Sequence, residues 1–279
     1  MKVAVIGAGT MGHGIAHVCA LAGDDVVLAD ADPRVLERAV GQIRSNLDKG
    51  VEKGKLTAEQ RDAALVRITT AEPAKAVAAA ELVIEAVPER LDLKQVVLRA
   101  AEDQAPPTAI LGTNTSSLSI SGIAAGLRDP GRLVGTHFFN PVHLMELLEV
   151  VTGEHTRPEV VEAVRTFGAR IGKEVIVVRD RPGFATSRLG VALGMEAIRM
   201  VEEGVASAAD IDKAMVLGYR HPVGPLRLSD MVGLDVRMHI GEYLAEALGN
   251  PAFTPPELMR AMVAQGLLGK KSGRGFYEW

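Results

Sequence analysis

The first thirty residues carry the feature that most limits how this chain can fold. An apolar run at residues 2–6 is followed by the glycine-rich turn 7–12 and by a helical pattern over residues 11–22. A second apolar run, residues 25–29, ends at Asp30. This order of strand, glycine-rich turn, helix, strand and acid is the dinucleotide-binding fingerprint of a doubly wound α/β sheet.

Each position in the glycine-rich turn has a physical task. The first glycine permits the tight turn, the second leaves room for a pyrophosphate, and the third lets the helix pack against the sheet. The start of the helix presents unpaired N–H groups to the phosphates. The sequence therefore predicts an NAD site that contains Gly7, Gly9, Met11, Gly12 and Asp30.

The identity of the acid favours NAD over NADP. A carboxylate at Asp30 can accept hydrogen bonds from the adenosine ribose hydroxyls and repels a 2′-phosphate. Arg34 lies close enough in the sequence to soften this repulsion, so NADP stays open as an alternative.

Composition excludes several other classes of protein. The formal net charge of the 279 residues is −4, which argues against a nucleic-acid-binding surface. No apolar run reaches membrane-spanning length, and the one cysteine, Cys19, has no partner for an internal disulfide. We expect a cytoplasmic protein without a membrane partner, and we predict no metal site.

Strand and helix patterns alternate as far as about residue 180 and then give way to helices alone. The alternation predicts a Rossmann-type, mostly parallel sheet with helices on both faces. We expect an NAD-binding domain over residues 1–180 and an all-helical substrate and dimerisation domain over residues 181–279. Several helices keep apolar residues on more than one face, which favours a homodimer through the helical domain.

A second group of residues suggests the chemistry. His137 ends a predicted strand over residues 132–138, and Glu149 follows in a strand over residues 144–151 that we expect to return antiparallel at the sheet edge. Imidazole has a pKa near neutrality and suits proton removal from an alcohol. Glu149 would fix the ring tautomer and stabilise the imidazolium.

Two neighbours are rival candidates for these roles. Glu146 could partner the histidine, but it is out of phase with Glu149 and points to the other face of a regular strand. His143 could be the base, but it has no evident orienting acid, so we interpret it as a loop residue or a contact at the rim of the substrate site.

Neutral hydrogen-bonding groups accompany the predicted base. The hydroxyl of Ser116 can hold the substrate oxygen that becomes a carbonyl, and the amide of Asn140 can hold a second polar group. The polar stretch at residues 114–117 can also cap the next helix, with Ser117 as the capping residue.

As a set, these motifs resemble the L-3-hydroxyacyl-CoA dehydrogenase family over essentially the whole chain, and most closely its compact 3-hydroxybutyryl-CoA dehydrogenases. The motifs that carry the resemblance are Gly7–Gly12, Asn114–Ser117, His137–Pro141 with Glu149, Asp180–Phe184, Gly224-Pro225 with Asp230 and Gly233–Asp235, and Gly275–Tyr277. The resemblance implies reversible NAD-dependent oxidation of the 3-hydroxyl group of an acyl-CoA. It implies that His137 is the base, that Glu149 is its partner and that Ser116 and Asn140 contact the substrate.

The resemblance also implies roles for residues outside these motifs. Glu89 and Lys94 match positions near the cofactor, and Lys53 matches a position that meets the CoA phosphates, although it could equally be a solvated lysine. Ser187 stands on the substrate side where the family often has Asn, and Asn46 stands where Ser is frequent. The first departure leaves acyl specificity open, and neither departure removes the predicted catalytic pair.

Two alternatives remain. One is a sugar-acid dehydrogenase of the gulonate type on the same fold, which needs no CoA phosphate site. The other is a structural NAD-binding protein of the crystallin kind, which the combination of Ser116, His137, Asn140 and Glu149 disfavours. The same combination argues against the β-hydroxyacid dehydrogenases with a catalytic lysine.

Overall fold

The computed structural model describes all 279 residues, and the chain forms two compact units, Met1–Asp180 and Arg181–Trp279. The strands are β1 (Lys2–Ile6), β2 (Asp25–Ala29), β3 (Ile68–Ala71), β4 (Leu82–Glu85), β5 (Ile110–Thr113), β6 (Leu133–Phe138), β7 (Leu147–Thr152) and β8 (Glu174–Arg179). The helices of the first unit are α1 (Thr10–Leu21), α2 (Pro33–Glu52), α3 (Ala58–Val66), α4 (Pro73–Val77), α5 (Leu91–Gln104), α6 (Ile120–Ala124) and α7 (Pro158–Arg170). Those of the second are α8 (Thr186–Glu202), α9 (Ala208–Gly218), α10 (Pro225–Val232), α11 (Leu234–Leu248) and α12 (Glu257–Ala264).

The first unit is built on one eight-stranded sheet with the order β3-β2-β1-β4-β5-β6-β7-β8. The first six strands run parallel, β7 pairs antiparallel with β6, and β8 pairs parallel with β7. The mostly parallel Rossmann-type sheet is thus as predicted. The placement of the antiparallel return at the sheet edge was wrong, because β8 adds outside β7.

The returning strand also begins later than expected. Residues 144 and 145 donate their backbone N–H groups to the carbonyl of Pro141, which makes a turn of the segment expected to open the strand. The strand therefore starts at Leu147 and extends to Thr152.

The central strands of the sheet are buried between two layers of helices. The side chains of β4 and β6 are buried along their whole length, as expected for central strands covered on both faces. The buried face of α1, which includes Ile15 and Cys19, packs into the same apolar core. The carboxyl ends of β1, β4, β5 and β6 therefore lie at one edge of a rigid sheet, the edge where open α/β folds bind ligands.

The second unit contains helices around a core of its own, with fully buried members at Met195, Leu226 and Leu244. Residues 225–248 form two helices, α10 and α11. They divide at Gly233, whose φ of 105° belongs to a region that residues with side chains rarely adopt. No helix in either unit combines the length and the hydropathy that crossing a membrane requires.

Candidate active site

The turn between β1 and α1 is packed tightly on its inner side and open on its outer side. Gly7 has φ of +97°, and a Cβ there would lie 2.6 Å from the carbonyl oxygen of Ala86. A Cβ at Gly12 would overlap the carbonyl oxygen of Gly7. A Cβ at Gly9 would meet no atom within 4 Å. The turn therefore needs glycine for its own packing at two positions and leaves backbone exposed to a ligand at the third.

A cleft of about 1220 Å³ opens beside this turn. Its lining includes Gly7, Gly9, Thr10, Met11, Asp30, Val35, Leu36, Pro73, Val87, Leu93, Val96 and Val97. Open backbone, the start of a helix and a carboxylate thus meet apolar walls in one place. These are the features that a dinucleotide requires, so the residues present fit NAD.

The carboxylate of Asp30 also holds the glycine-rich turn. Its Oδ2 accepts a hydrogen bond of 2.8 Å from the backbone N–H of Ala8, and its Oδ1 accepts one of 3.0 Å from that of Asp32. Arg34, considered above as a neutralising neighbour, donates both from Nε and from Nη2 to Asp32. The guanidinium of Arg34 therefore pairs with Asp32 rather than with Asp30.

His137 and Glu149 face each other across β6 and β7. They are register partners in the antiparallel pair, and Nδ1 of the ring lies 2.7 Å from Oε2 of the carboxylate. The imidazole is 4% exposed and the carboxylate is fully buried. An ionised carboxylate only accepts hydrogen bonds, so Nδ1 must carry a proton and the neutral ring has its basic lone pair on Nε2. Such a ring can take up a proton at Nε2 while the carboxylate balances the charge.

The structure separates the rival residues from this pair. Glu146 is exposed and precedes β7. The ring of His143 stacks on that of His17, with centroids 5.2 Å apart and planes inclined by 12°. Desolvation, and then the positive charges of His13 and Lys173, lower the pKa of His143 below its ordinary value.

Asn140 lies beside the pair in the chain and lines a second, smaller cleft. This cleft measures about 220 Å³ and is lined by Thr10, His13, Gly14, Gln42, Asn46, Asn140, Pro141, Val142 and His143. Thr10 also lines the larger cleft, so the two clefts meet at the start of α1. The Asn140 side chain is exposed there, and Asn46 is half-buried.

Ser116 lies on the loop that follows β5 and is half-buried. Its backbone N–H donates to Oε1 of Glu89 at 2.9 Å. The expected capping role of Ser117 was wrong, because α6 begins at Ile120, two residues later than a cap at Ser117 requires. Ser119 caps it, with its hydroxyl accepting from the backbone N–H of Gly122 at 3.0 Å.

The other site residues that the sequence predicted, Lys94, Lys53 and Ser187, differ in burial and in position. Lys94 is fully buried on α5, with Nζ 2.8 Å from Oε1 of Glu85, and it is absent from the lining of the large cleft. Lys53 is exposed immediately after α2 and lines neither cleft. Ser187 lies in the first turn of α8, in the second unit.

Glu85, which sequence reasoning passed over, and Asn114 hold this edge of the sheet together. Glu85 ends β4 fully buried, and burial raises the pKa of its carboxyl above the ordinary value, although Lys94 opposes the shift. Oδ1 of Asn114 accepts from the backbone N–H of Phe138 at 3.0 Å. An acid at the end of an otherwise apolar strand is the sequence signal that could have identified Glu85.

Comparison with known proteins gives consistent matches over the whole chain. The family model of the NAD-binding domain of 3-hydroxyacyl-CoA dehydrogenase matches residues 2–181, and the model of the C-terminal domain of the same enzyme matches residues 183–279. The 3-hydroxybutyryl-CoA dehydrogenase of Bradyrhizobium diazoefficiens is 42% identical over 278 residues, which cover 100% of this chain and 95% of that protein.

Solved structures agree with these matches. Mycobacterium tuberculosis FadB2 superimposes with a TM-score of 0.97 at 40% identity, covering 100% of this chain and 98% of that one. The (S)-3-hydroxybutyryl-CoA dehydrogenase PaaH1 from Ralstonia eutropha gives 0.95 at 40% identity, covering 99% and 98%. The chain described here therefore belongs to the 3-hydroxyacyl-CoA dehydrogenase family.

Proposed function

We propose that this protein catalyses the reversible, NAD-dependent oxidation of the 3-hydroxyl group of an (S)-3-hydroxyacyl-CoA to the 3-ketoacyl-CoA. The observation that carries the proposal is the buried contact of 2.7 Å between His137 and Glu149. It lies in the same sheet as a glycine-rich turn that fits a dinucleotide. The names of the relatives at 40–42% identity support the substrate class.

His137 is the general base of the proposed reaction. In the oxidation direction, Nε2 removes the proton of the 3-hydroxyl group, and the ring becomes an imidazolium. Glu149 stabilises that positive charge and holds the tautomer in which Nε2 is basic. In the reverse direction the same imidazolium returns the proton to the oxygen of the ketone, so one pair serves both directions.

Neutral donors hold the substrate oxygen while the proton moves. We assign this role to the hydroxyl of Ser116 and to the amide of Asn140, because neither group competes with the base for the proton. Gly7, Gly9, Met11 and Gly12 would hold the pyrophosphate of NAD, and Asp30 would hold its adenosine ribose. Bound NAD⁺ supplies the hydride acceptor for the carbon that carries the hydroxyl group.

We assign the remaining roles by unit. We assign cofactor binding to the unit of residues 1–180, a substrate contact to Ser187, and a homodimer interface to the helical unit. Exposed apolar side chains on the helical unit support an interface there, among them Leu189 at 72% and Leu217 at 73% exposed. Lys53 meets the phosphates of CoA. We also propose a cytoplasmic location, a compartment in which the buried thiol of Cys19 stays reduced.

Oxidation of NADH in the presence of acetoacetyl-CoA tests this function. The absorbance of NADH should fall with acetoacetyl-CoA and stay constant with free acetoacetate, and no NADH should form from NAD⁺ and a free sugar acid. Formation of NADH from the sugar acid, with no turnover of the CoA ester, would instead establish a dehydrogenase of the gulonate type. NADH binding without turnover of any of these substrates would indicate a non-enzymatic protein.

A further inference from the structure

Arg237 is a buried cation that the helical unit leaves almost without acceptors. It stands near the start of α11 and is 4% exposed. Its Nη1 donates to the carbonyl oxygen of Gly190, while its Nε has no acceptor. Burial lowers the pKa of Arg237 to about 10, and no acid opposes this shift. The side chain is therefore charged at neutral pH and has no carboxylate partner in the chain.

A charge in this position is unusual because burial is costly for it. A guanidinium group carries several N–H donors, and they lose their hydrogen bonds to water when the side chain is buried. Buried charges in folded proteins are as a rule paired with an opposite charge or bound to a ligand. A single backbone carbonyl does not balance the charge of Arg237. We therefore expect the missing acceptor to come from a ligand.

The guanidinium lies over two glycines of α8. A Cβ at Gly194 would lie 2.7 Å from Nη1 of Arg237, 3.1 Å from its Cδ and 3.1 Å from Oγ of Ser229. A Cβ at Gly190 would meet only Nη1 of Arg237 within 4 Å, at 3.9 Å. The space above Gly194 is thus filled, whereas the space above Gly190 is open and is bordered by the guanidinium.

This open space lies on the face of α8 that carries Ser187. Positions three and four residues apart lie on one face of a helix, so Ser187, Gly190 and Gly194 form one stripe. Ser187 is the residue to which we assign a substrate contact. The helix rises about 4.5 Å from Ser187 to Gly190, roughly the length of about three carbons of an extended chain. An acyl chain that passes Ser187 along this stripe would bring its far end to Arg237.

The chemistry of the guanidinium selects the group at that end. A planar carboxylate accepts two parallel hydrogen bonds from an arginine and supplies the negative charge that Arg237 lacks. A terminal methyl group would do neither and would leave the buried charge unpaired. The arrangement therefore favours an acyl chain that ends in a carboxylate.

We propose that Arg237 is a specificity-determining residue that binds a carboxylate at the far end of the acyl chain, so that the substrates include 3-hydroxyacyl-CoA esters of dicarboxylic acids. This inference rests on the proposed function, because it extends the substrate contact assigned to Ser187 along the same helix. It predicts a preference between substrates of equal length that differ only in the terminal group.

The first test compares two esters of the same chain length. 3-Ketoadipyl-CoA ends in a carboxylate and 3-ketohexanoyl-CoA in a methyl group, and acetoacetyl-CoA is the short reference. In Arg237→Met, kcat/KM for 3-ketoadipyl-CoA should fall about 10-fold to 10²-fold, as expected when a hydrogen-bonded charge loses its partner. The values for the other two esters should stay within about 3-fold of the wild type, a change of less than 1 kcal/mol.

The matched control is Arg260→Met, which removes a half-buried arginine of α12 that pairs with Glu242. It should leave the preference between the two longer esters unchanged. Gly190→Ala is a second variant, because alanine is favoured over glycine in a helix and the added methyl group enters the open space. It should lower kcat/KM for both longer esters about 10-fold and spare acetoacetyl-CoA.

Thermal unfolding supplies a readout that does not depend on turnover. Adipate serves as the probe, since a ligand that binds only the folded protein raises Tm. We expect saturating adipate to raise the Tm of the wild type and of Arg260→Met but not that of Arg237→Met. Without adipate, Arg237→Met should be at least as stable as the wild type, because a methionine in place of an unpaired buried charge leaves no donor unsatisfied.

Three results overturn the proposal. One is an equal loss of kcat/KM for all three esters in Arg237→Met, which indicates a purely structural role. Another is an unchanged preference between the two longer esters. The third is a change of oligomeric state in Arg237→Met on size-exclusion chromatography without a change of preference, which means that a second copy of the chain supplies the acceptor. Failure of the proposed function looks different, since the wild type would then turn over none of the esters, and the adipate measurement would decide the carboxylate site alone.

Discussion

At the level of single residues, the contact between His137 and Glu149 determines what the site can do. Glu149 is fully buried, and a carboxylate removed from water is stable only when its charge is paired or hydrogen-bonded. The sheet places it directly opposite the imidazole rather than beside solvent. We therefore expect a change at Glu149 to alter the rate of the chemical step.

Replacing Glu149 with Gln is expected to lower kcat and to leave the fold and the affinity for NADH intact. The amide can still contact the ring of His137, but it brings no charge to stabilise the imidazolium and can present its NH₂ group to Nδ1. Steady-state kinetics and cofactor titration measure the two effects separately. Glu146→Gln is the matched control. Full activity of Glu149→Gln together with an inactive Glu146→Gln would show that the wrong carboxylate has been assigned.

His17 is a second buried imidazole, and it makes the fold sensitive to acid. It is 3% exposed on α1, and no hydrogen-bond partner faces its Nδ1. Desolvation lowers the pKa of His17 from 6.5 to about 4, and the nearby positive charges of His143, His13 and Lys173 add to the shift. The folded protein therefore keeps this ring neutral at pH values where the unfolded chain protonates it.

Burial of His17 should make the folded protein less stable as the pH falls. As pH falls below 6.5, the unfolded state gains a proton that the folded state accepts only near pH 4, so the free energy of unfolding decreases across this window. We predict that wild type loses about 2 kcal/mol more than His17→Gln between pH 7 and pH 5. Urea unfolding of both proteins at the two pH values measures the difference. Equal losses would mean that another group is responsible for the acid sensitivity.

At the scale of elements, the sequence predicted the long periodic segments well. The alternating strands and helices expected as far as about residue 180 are present, and the hydroxyl of Thr57 caps α3, with Gln60 completing a capping box. Regular apolar spacing and side-chain caps are local signals, so they can be interpreted without knowledge of the fold.

Other features depended on distant contacts and could not be predicted from local sequence. Lys94 lies in the buried stripe of α5 together with Leu98 and Ala101, four and seven residues on. That spacing was visible in the sequence, but burial of a lysine requires acceptors such as Glu85 and Asn114 that only the folded sheet supplies. The order of β7 and β8 likewise depends on strand pairing, for which the sequence has no local signal.

Two helical glycines should respond oppositely to the same substitution. A Cβ at Gly12 in α1 would overlap the carbonyl oxygen of Gly7, whereas one at Gly41 in α2 would meet no atom within 4 Å. We expect Gly12→Ala to destabilise the protein by about 1–3 kcal/mol, because the helix must move off the turn. Gly41→Ala should stabilise it by about 0.4–1 kcal/mol. Thermal unfolding measures both. A tolerated Gly12→Ala would contradict the tight packing of the turn.

The end of β2 should control the choice of cofactor. We predict that Asp30→Ala weakens NAD binding and improves the relative use of NADP, because it removes both an acceptor for the ribose hydroxyls and a charge that repels a 2′-phosphate. The loss of the bond to Ala8 should also loosen the turn. Comparison of kcat/KM for the two cofactors checks the prediction. An unchanged ratio would mean that Asp30 does not face the ribose.

At the scale of the whole molecule, residues remote in sequence meet because of the order of the strands. The chain places β4 beside β1, and β7 beside β6, so the glycine-rich turn, the Ser116 loop and the His137–Glu149 pair all belong to one sheet. The central claim is that this sheet binds a nicotinamide cofactor and positions one imidazole to move the substrate proton.

The most direct test of that claim compares His137→Gln with His143→Gln. Both variants exchange an imidazole for an amide close to Asn140, but only the first removes a ring paired with a buried carboxylate. NADH titration and the kcat for acetoacetyl-CoA reduction are measured for each. The account predicts that His137→Gln binds NADH normally and loses about 10²-fold to 10⁴-fold in kcat, while His143→Gln loses much less. A near-normal kcat in His137→Gln would contradict the account.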